Sequence, residues 1–156
     1  MKRFFVLLLF SCLVFSMLSA CGNSVPSVDL SEISFDEISV GDEFAQVETE
    51  RYHEKTNVSN QYTYNYEEWR LSVAEGVITE IMATFSQIDI SINGRNDCSA
   101  VDDVTAVLGE DCTSSWYDRE QSLMQLQYFD KEHGLQCSFI YNKHSETLVW
   151  AILQKT

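Results

Sequence analysis

The chain has 156 residues and carries 24 Asp and Glu against 10 Lys and Arg, a formal charge of −14. That length suits one domain of ordinary size. The sign argues against nucleic acid as a partner, because a phosphate backbone is met by Lys and Arg, while a cation or a basic partner is electrostatically allowed.

The first residues read as an address. Lys2 and Arg3 make a short basic start, and residues 4–10 and 13–18 make an apolar run broken by Ser11, Cys12 and Ser16. Such a run is too short and too near the N-terminus for an ordinary membrane span and has the layout of a secretory signal, here residues 1–20. It ends in Leu18-Ser19-Ala20-Cys21, which resembles the lipobox of bacterial lipoproteins. That resemblance implies a diacylglycerol on the thiol of Cys21 and cleavage just before it. It places the chain in the bacterial cell envelope, held to the outer side of a membrane through the lipid. Cysteine suits the role because its sulfur is nucleophilic and forms a stable thioether. Each buried methylene of an acyl chain contributes about 0.8 kcal/mol, so two or three chains anchor almost permanently. The alternative is an ordinary signal peptide, or an uncleaved anchor, ending near a cysteine. With Lys2 and Arg3 removed, 8 basic residues face 24 acidic ones, a formal charge of −16. Anionic headgroups would repel such a domain, and the acidity also keeps an exported domain soluble.

Residues 21–34 hold the only proline, Pro26, with small polar residues, and read as a tether. From Asp29 to Glu50 there are eight acidic residues and no basic one, a solvated stretch or a cation-binding arm.

Residues 35–156 read as a single α+β domain: two short helices packed on an antiparallel sheet, in tandem helix-plus-hairpins units of about 35–92 and 93–156. Gly41-Asp42-Glu43 opens the first helix, with Asp42 as N-cap and Phe44 and Val47 on one face. The second is capped by Ser99 or Asp97, carries the stripe Val101, Val104, Leu108, and stops at Gly109. Each is about ten residues long and needs packing to persist. Between and after them the pattern alternates with period two. Trp69, Leu71 and Val73 share a face, Glu75-Gly76 turns, and Val77, Thr79, Ile81, Ala83 and Phe85 return. Ile88, Ile90 and Ile92 follow, ended by Asn93-Gly94. Met124, Leu126 and Tyr128 alternate, as do Leu135, Cys137, Phe139 and Tyr141, and finally Leu148, Trp150 and Ile152. A β-sandwich-like domain with incidental helices is the alternative. The order of elements resembles the tandem α/β architecture of the β-lactamase-inhibitor protein and of small outer-membrane-assembly lipoproteins. That likeness implies an inhibitor-like or assembly-factor-like role and supplies no binding residue, since fold alone does not give function.

Beyond Cys21 the exported part has three cysteines, Cys98, Cys112 and Cys137. An odd count in an oxidising compartment suggests one bridge, Cys98–Cys112 or alternatively Cys112–Cys137. His133, Cys137 and His144 form a nominal Cys-His set, but Cys137 shares parity with apolar neighbours and the histidines sit in turns, so no catalytic residue is assigned. The histidines lack metal spacing and no cofactor is implied. Asp89-x-Ser91-x-Asn93-Gly94 opens like a calcium loop, but Ala100 stands where the bidentate Glu belongs. Asn57-Val58-Ser59 fits a glycosylation sequon. Tyr62, Tyr64 and Tyr66 place three aromatic rings on one strand face and, with Trp69 and Trp116 of the same type, make a recognition face or ordinary cover for a sheet. The expected function is a lipid-anchored, non-enzymatic module binding a protein or an envelope component. The alternative is an extracytoplasmic hydrolase whose residues converge only in three dimensions.

Overall fold

The computed structural model describes residues 26–56 and 61–156. The lipobox at Cys21 and the sequon at Asn57 lie outside them. Among the described residues the chain forms nine strands and one α-helix: β1 (Ile33–Phe35), β2 (Tyr64–Asn65), β3 (Trp69–Ala74), β4 (Val77–Thr84), β5 (Ile90–Ile92), α1 (Val101–Leu108), β6 (Thr113–Asp118), β7 (Leu123–Asp130), β8 (Leu135–Asn142) and β9 (Leu148–Lys155). Seven strands make one antiparallel sheet in the order β2-β3-β4-β9-β8-β7-β6, and β1 pairs with β5 as a separate ribbon.

The expectation of an α+β fold with two helices is therefore wrong. The chain is mostly β, with a single helix. The first expected helix, opened by Asp42, is only a 3-10 turn at Phe44–Gln46. Its backbone groups are taken by the β3–β4 hairpin instead: Gly41 N–H donates to Ile78 O, Phe44 N–H to Gly76 O, and Ile78 N–H to Asp42 O. The Asp42 carboxylate accepts from Ser39 N–H at 2.7 Å rather than capping a helix. Two apolar residues on one face could not outbid those cross-chain bonds. With one helix missing, the tandem helix-plus-hairpins units fall too. The strands of both halves share one sheet through β4 and β9.

The second expected helix exists as α1, with Val104 and Leu108 buried and Gly109 at φ 83° ending it. Its N-cap is Ala100, not Ser99 or Asp97. Asp103 does the capping by reaching back to the N–H groups of Ser99 (2.9 Å) and Ala100 (3.0 Å). Those contacts hold the Asp103 carboxyl below its ordinary range.

The Glu75-Gly76 turn is a two-residue hairpin between paired Ala74 and Val77. Both residues have positive φ, 53° and 81°, as a turn matching the strand twist requires. Register shifts then correct the expected parity. A bulge at Ser72/Val73 brings Ile78, rather than Val77, to the core side. A second, at Ile140/Tyr141, turns β9 so that Ala151 and Leu153 point inward and Trp150 and Ile152 lie on the opposite face. Leu71, Ile81, Leu153, Cys137 and Tyr128 line the covered face, beneath α1 and the β1–β5 ribbon. Phe139 packs there against Tyr128 (ring centroids 6.0 Å apart) and Phe85 (6.5 Å). The Tyr128 hydroxyl donates to Gly109 O at 2.9 Å and ties the end of α1 to the sheet.

The stretch expected to be a tether to residue 34 is docked from Ser27 on. Val28 N–H donates to Phe129 O, and Lys131 N–H to Ser27 Oγ. Leu30 is fully buried and its N–H reaches Asp130 Oδ2 at 3.0 Å. Asp130 is the knot of this attachment. Oδ1 accepts from the N–H groups of Glu132 and His133, each at 3.0 Å, and Oδ2 also meets His133 Nδ1 at 2.7 Å. Burial works to raise the Asp130 pKa, but the Leu30 and His133 contacts outweigh it and hold the group below its ordinary 3.8. The bond to Asp130 raises His133 above its ordinary 6.5.

Two measurements follow from this packing. Phe139→Ala should lower unfolding stability by about 3–5 kcal/mol through lost burial and a cavity, and Tyr128→Phe by about 1 kcal/mol through one lost hydrogen bond. Urea midpoints read both, and a Phe139→Ala cost under about 1 kcal/mol would contradict the core described. The clamp has its own pH signature. A raised His133 adds stability below about pH 6.5 that fades as pH rises through its folded value. A lowered Asp130 adds stability above about pH 4 that fades as pH falls through its own. The melting-temperature gap between wild type and His133→Ala should be widest near pH 5 to 6 and shrink towards pH 9. A gap that grows with pH would overturn the assignment.

Candidate functional site

Of the aromatic residues singled out in the sequence, most are spent on the core. Tyr62 and Tyr66 are buried and Trp69 is 1 % exposed, packed 4.7 Å from the Tyr52 ring. Tyr62 turns its hydroxyl to Met82 Sδ, and burial first, with Glu80 second, pushes its pKa up to about 12. Only Tyr64 is exposed, at 37 %, and it stacks on Phe44 at 4.0 Å. Residues 53–55 cover that edge of the sheet, with Lys55 N–H donating to Asn65 O and Glu54 bridging Tyr66. The row of tyrosines is thus a seam between segments, and no open aromatic face is assembled there.

Cys137 lies in the middle of β8, fully buried, and burial pushes its thiol far above the ordinary range. It is not a thiolate nucleophile. His133 is engaged with Asp130, and His144 lies in the β8–β9 turn, where its N–H donates to Asn142 Oδ1. Cys98, Cys112 and Cys137 are all free in the structure. The strand register explains one pairing. Extending Thr113↔Gln127 by one residue sets Cys112 beside Tyr128, and Tyr128 faces Cys137 on β8. Cys112 and Cys137 are thus two strands apart, roughly 9–10 Å between Cα atoms, beyond disulfide reach.

Asp29, Asp130 and His133 bring three potential ligand atoms within 4.8 Å of one another. A carboxylate has about four acceptor positions, and Asp130 already spends four on Leu30, Glu132 and His133. The chemistry of the donor set is that of a clamp on the N-terminal segment.

An exposed aromatic cluster does lie at the other edge, around Trp116, the residue grouped with the tyrosines by type alone, and Tyr117, which the sequence did not single out. β6 is the terminal strand of the sheet, and its first five residues are all exposed. Trp116 is 37 % and Tyr117 45 % exposed. A register shift between Trp116 and Asp118 leaves Tyr117 unpaired with β7. Neighbours in an extended strand point to opposite faces. Tyr117 accordingly meets Trp150 edge-on, ring centroids 5.5 Å apart, while Trp116 meets two cations, Lys143 Nζ at 4.6 Å and Arg119 Cζ at 5.7 Å from its ring centre. Among the described residues neither cation makes a salt bridge. The neighbouring Asp118 is occupied, accepting from Glu120 N–H (2.8 Å), Gln121 N–H (3.1 Å) and Gln121 Nε2 (3.0 Å). Cation–π contacts favour this geometry and leave both charges solvent-facing. Adjacent Trp-Tyr in an unpatterned polar run was the only trace of this corner in the sequence.

One consequence is directly measurable. A purified fragment 26–156 should titrate three thiols under denaturing, non-reducing conditions, and finding one instead of three would restore the bridge.

No family model, no curated protein and no solved structure matches this chain.

Proposed function

We propose that this protein is a lipid-anchored extracytoplasmic binding module that contacts a protein or another envelope component through the exposed end of β6. The observation that carries the binding half is the Trp116–Tyr117 corner. Two large aromatic rings stand exposed side by side at a free sheet edge, whereas exposed Tyr64 is stacked on Phe44 at a covered edge, and Trp, Tyr and Arg are the residues on which interfaces concentrate their energy. Leu18-Ser19-Ala20-Cys21 supports the anchor. The docked N-terminal segment meets the β7 edge at Phe129 and Lys131, beyond the point where β6 begins opposite Gln127, and leaves the edge of β6 itself open.

The anchor is tested with Cys21→Ala and, separately, with an inhibitor of lipoprotein signal peptidase. Each should leave a heavier precursor, and normal maturation with membrane retention in Cys21→Ala would sink the lipobox reading. The binding surface is tested by crosslinking in living cells. Trp116→Ala together with Tyr117→Ala should lose a specific partner that wild type and Tyr64→Ala both retain. An identical partner set in all three would remove the corner from consideration.

A further inference from the structure

We propose that β6 receives an added strand: the partner presents an extended segment in which acidic and apolar residues alternate, and it pairs along the free edge from Thr113 to Trp116. The proposal rests on the binding reading above and names the partner's chemistry. Three observations meet here. First, β6 ends the sheet and none of its outward backbone groups is bonded among the described residues, whereas the opposite edge is covered by residues 53–55. Unpaired N–H and C=O groups on a strand edge are a template for another strand. Second, β6 lacks the usual protections: from Thr113 to Trp116 it has no proline, no lysine and no bulge. Third, its two faces differ in chemistry. Side chains of an incoming strand alternate between the faces. Those on the Trp116 side meet Lys143 and Arg119, two unpaired cations, and those on the Tyr117 side meet Tyr117 and Trp150. The complement is acidic on one side and apolar on the other. A second copy of this chain is a poorer occupant: its β6 would offer Thr113, Ser114 and Ser115, neither acidic nor apolar, and would bring its own Lys143 and Arg119 to the same edge.

The experiment uses fragment 26–156 with synthetic octapeptides, followed by calorimetry. The probes are alternating valine and aspartate, the same with lysine for aspartate, and the valine–aspartate peptide N-methylated on the residues of one edge. The valine–aspartate peptide should bind, the lysine peptide should not, and N-methylation should abolish binding because it removes the pairing N–H groups. Arg119→Glu with Lys143→Glu should weaken the valine–aspartate peptide by about tenfold or more and raise the affinity of the lysine peptide. Both substitutions are on exposed side chains, so a circular dichroism spectrum identical to wild type secures the comparison. Binding of the N-methylated peptide as tightly as the parent, no preference for aspartate over lysine, or no binding at all would overturn strand addition. Sedimentation showing a dimer that Trp116→Ala dissolves would overturn it in favour of a second copy. A partner lost in cells on changing Trp116 and Tyr117, alongside a failed peptide series, would leave the binding surface standing and discard only the strand. Failure in cells with a successful series would do the reverse.

Discussion

The antiparallel pairing of β4 with β9 is the contact on which the architecture depends. Glu80 to Thr84 run opposite Gln154 to Trp150, joining residues some seventy positions apart. Without it the chain would be two separate antiparallel systems, β2-β3-β4 and β6-β7-β8-β9. With it, Ile81 and Ala83 meet Leu153 and Ala151 at the centre of one seven-stranded surface, all essentially without exposure. The helix, the β1–β5 ribbon and the N-terminal segment then have something to pack on. Their burial follows from this one junction. Because its loop-closure cost must be met before the pairing rewards it, the junction also makes this a fold of long-range contacts, slow to assemble compared with a helical one.

The strands that help bury this core were legible in the sequence because burial on one side forces a period of two. β3, β4, β7, β8 and β9 fall where Trp69, Ile81, Leu126, Phe139 and Leu148 stand, and the Glu75-Gly76 turn reads correctly because only a positive φ at both residues closes that hairpin. Three things were not legible. Bulges shift parity without changing composition, so Trp150 and Ile152 looked like core residues when Ala151 and Leu153 were. The segment near Asp42 carries helix-start residues, but its hydrogen bonds go to the distant Gly76 and Ile78, a tertiary outcome that a local signal cannot see. The alternation of Ile88, Ile90 and Ile92 did mark β5, but its partner β1 lies in a stretch that resembled a linker, and three residues are too few to show a period there.

The candidate site was least legible of all, for a physical reason. A strand exposed on both faces has nothing to bury and therefore no alternation, so Thr113 to Asp118 carries no strand signal in the sequence. The tyrosines at 62 and 66 stood out because aromatic residues are conspicuous, yet conspicuousness tracks burial as readily as binding. What separates the two cases is where the backbone goes. At Tyr64 the neighbouring edge is occupied by residues 53–55, and at Trp116 the edge is open.

Charge completes the picture, because a net value says little about any one place. On β7, β8 and β9 the outer face carries Gln125, Gln127, Gln136 and Gln154 with Trp150 and Ile152 between them, and on β3 and β4 it adds the charged Arg70 and Glu80. The carboxylates are spread over both halves of the chain, with a dense run from Asp29 to Glu50. At physiological ionic strength a charge is screened beyond about 8 Å, so a ligand at Trp116 responds chiefly to the local charges, Lys143 and Arg119 with Asp118 and Glu120 beside them, and only weakly to the distant acidic segment. The same separation explains why the clamp at Asp130 and the corner at Trp116 can sit on one side of one sheet without interference. Asp130 spends its charge on N–H groups and His133, and the cations at the corner keep theirs for solvent or a partner.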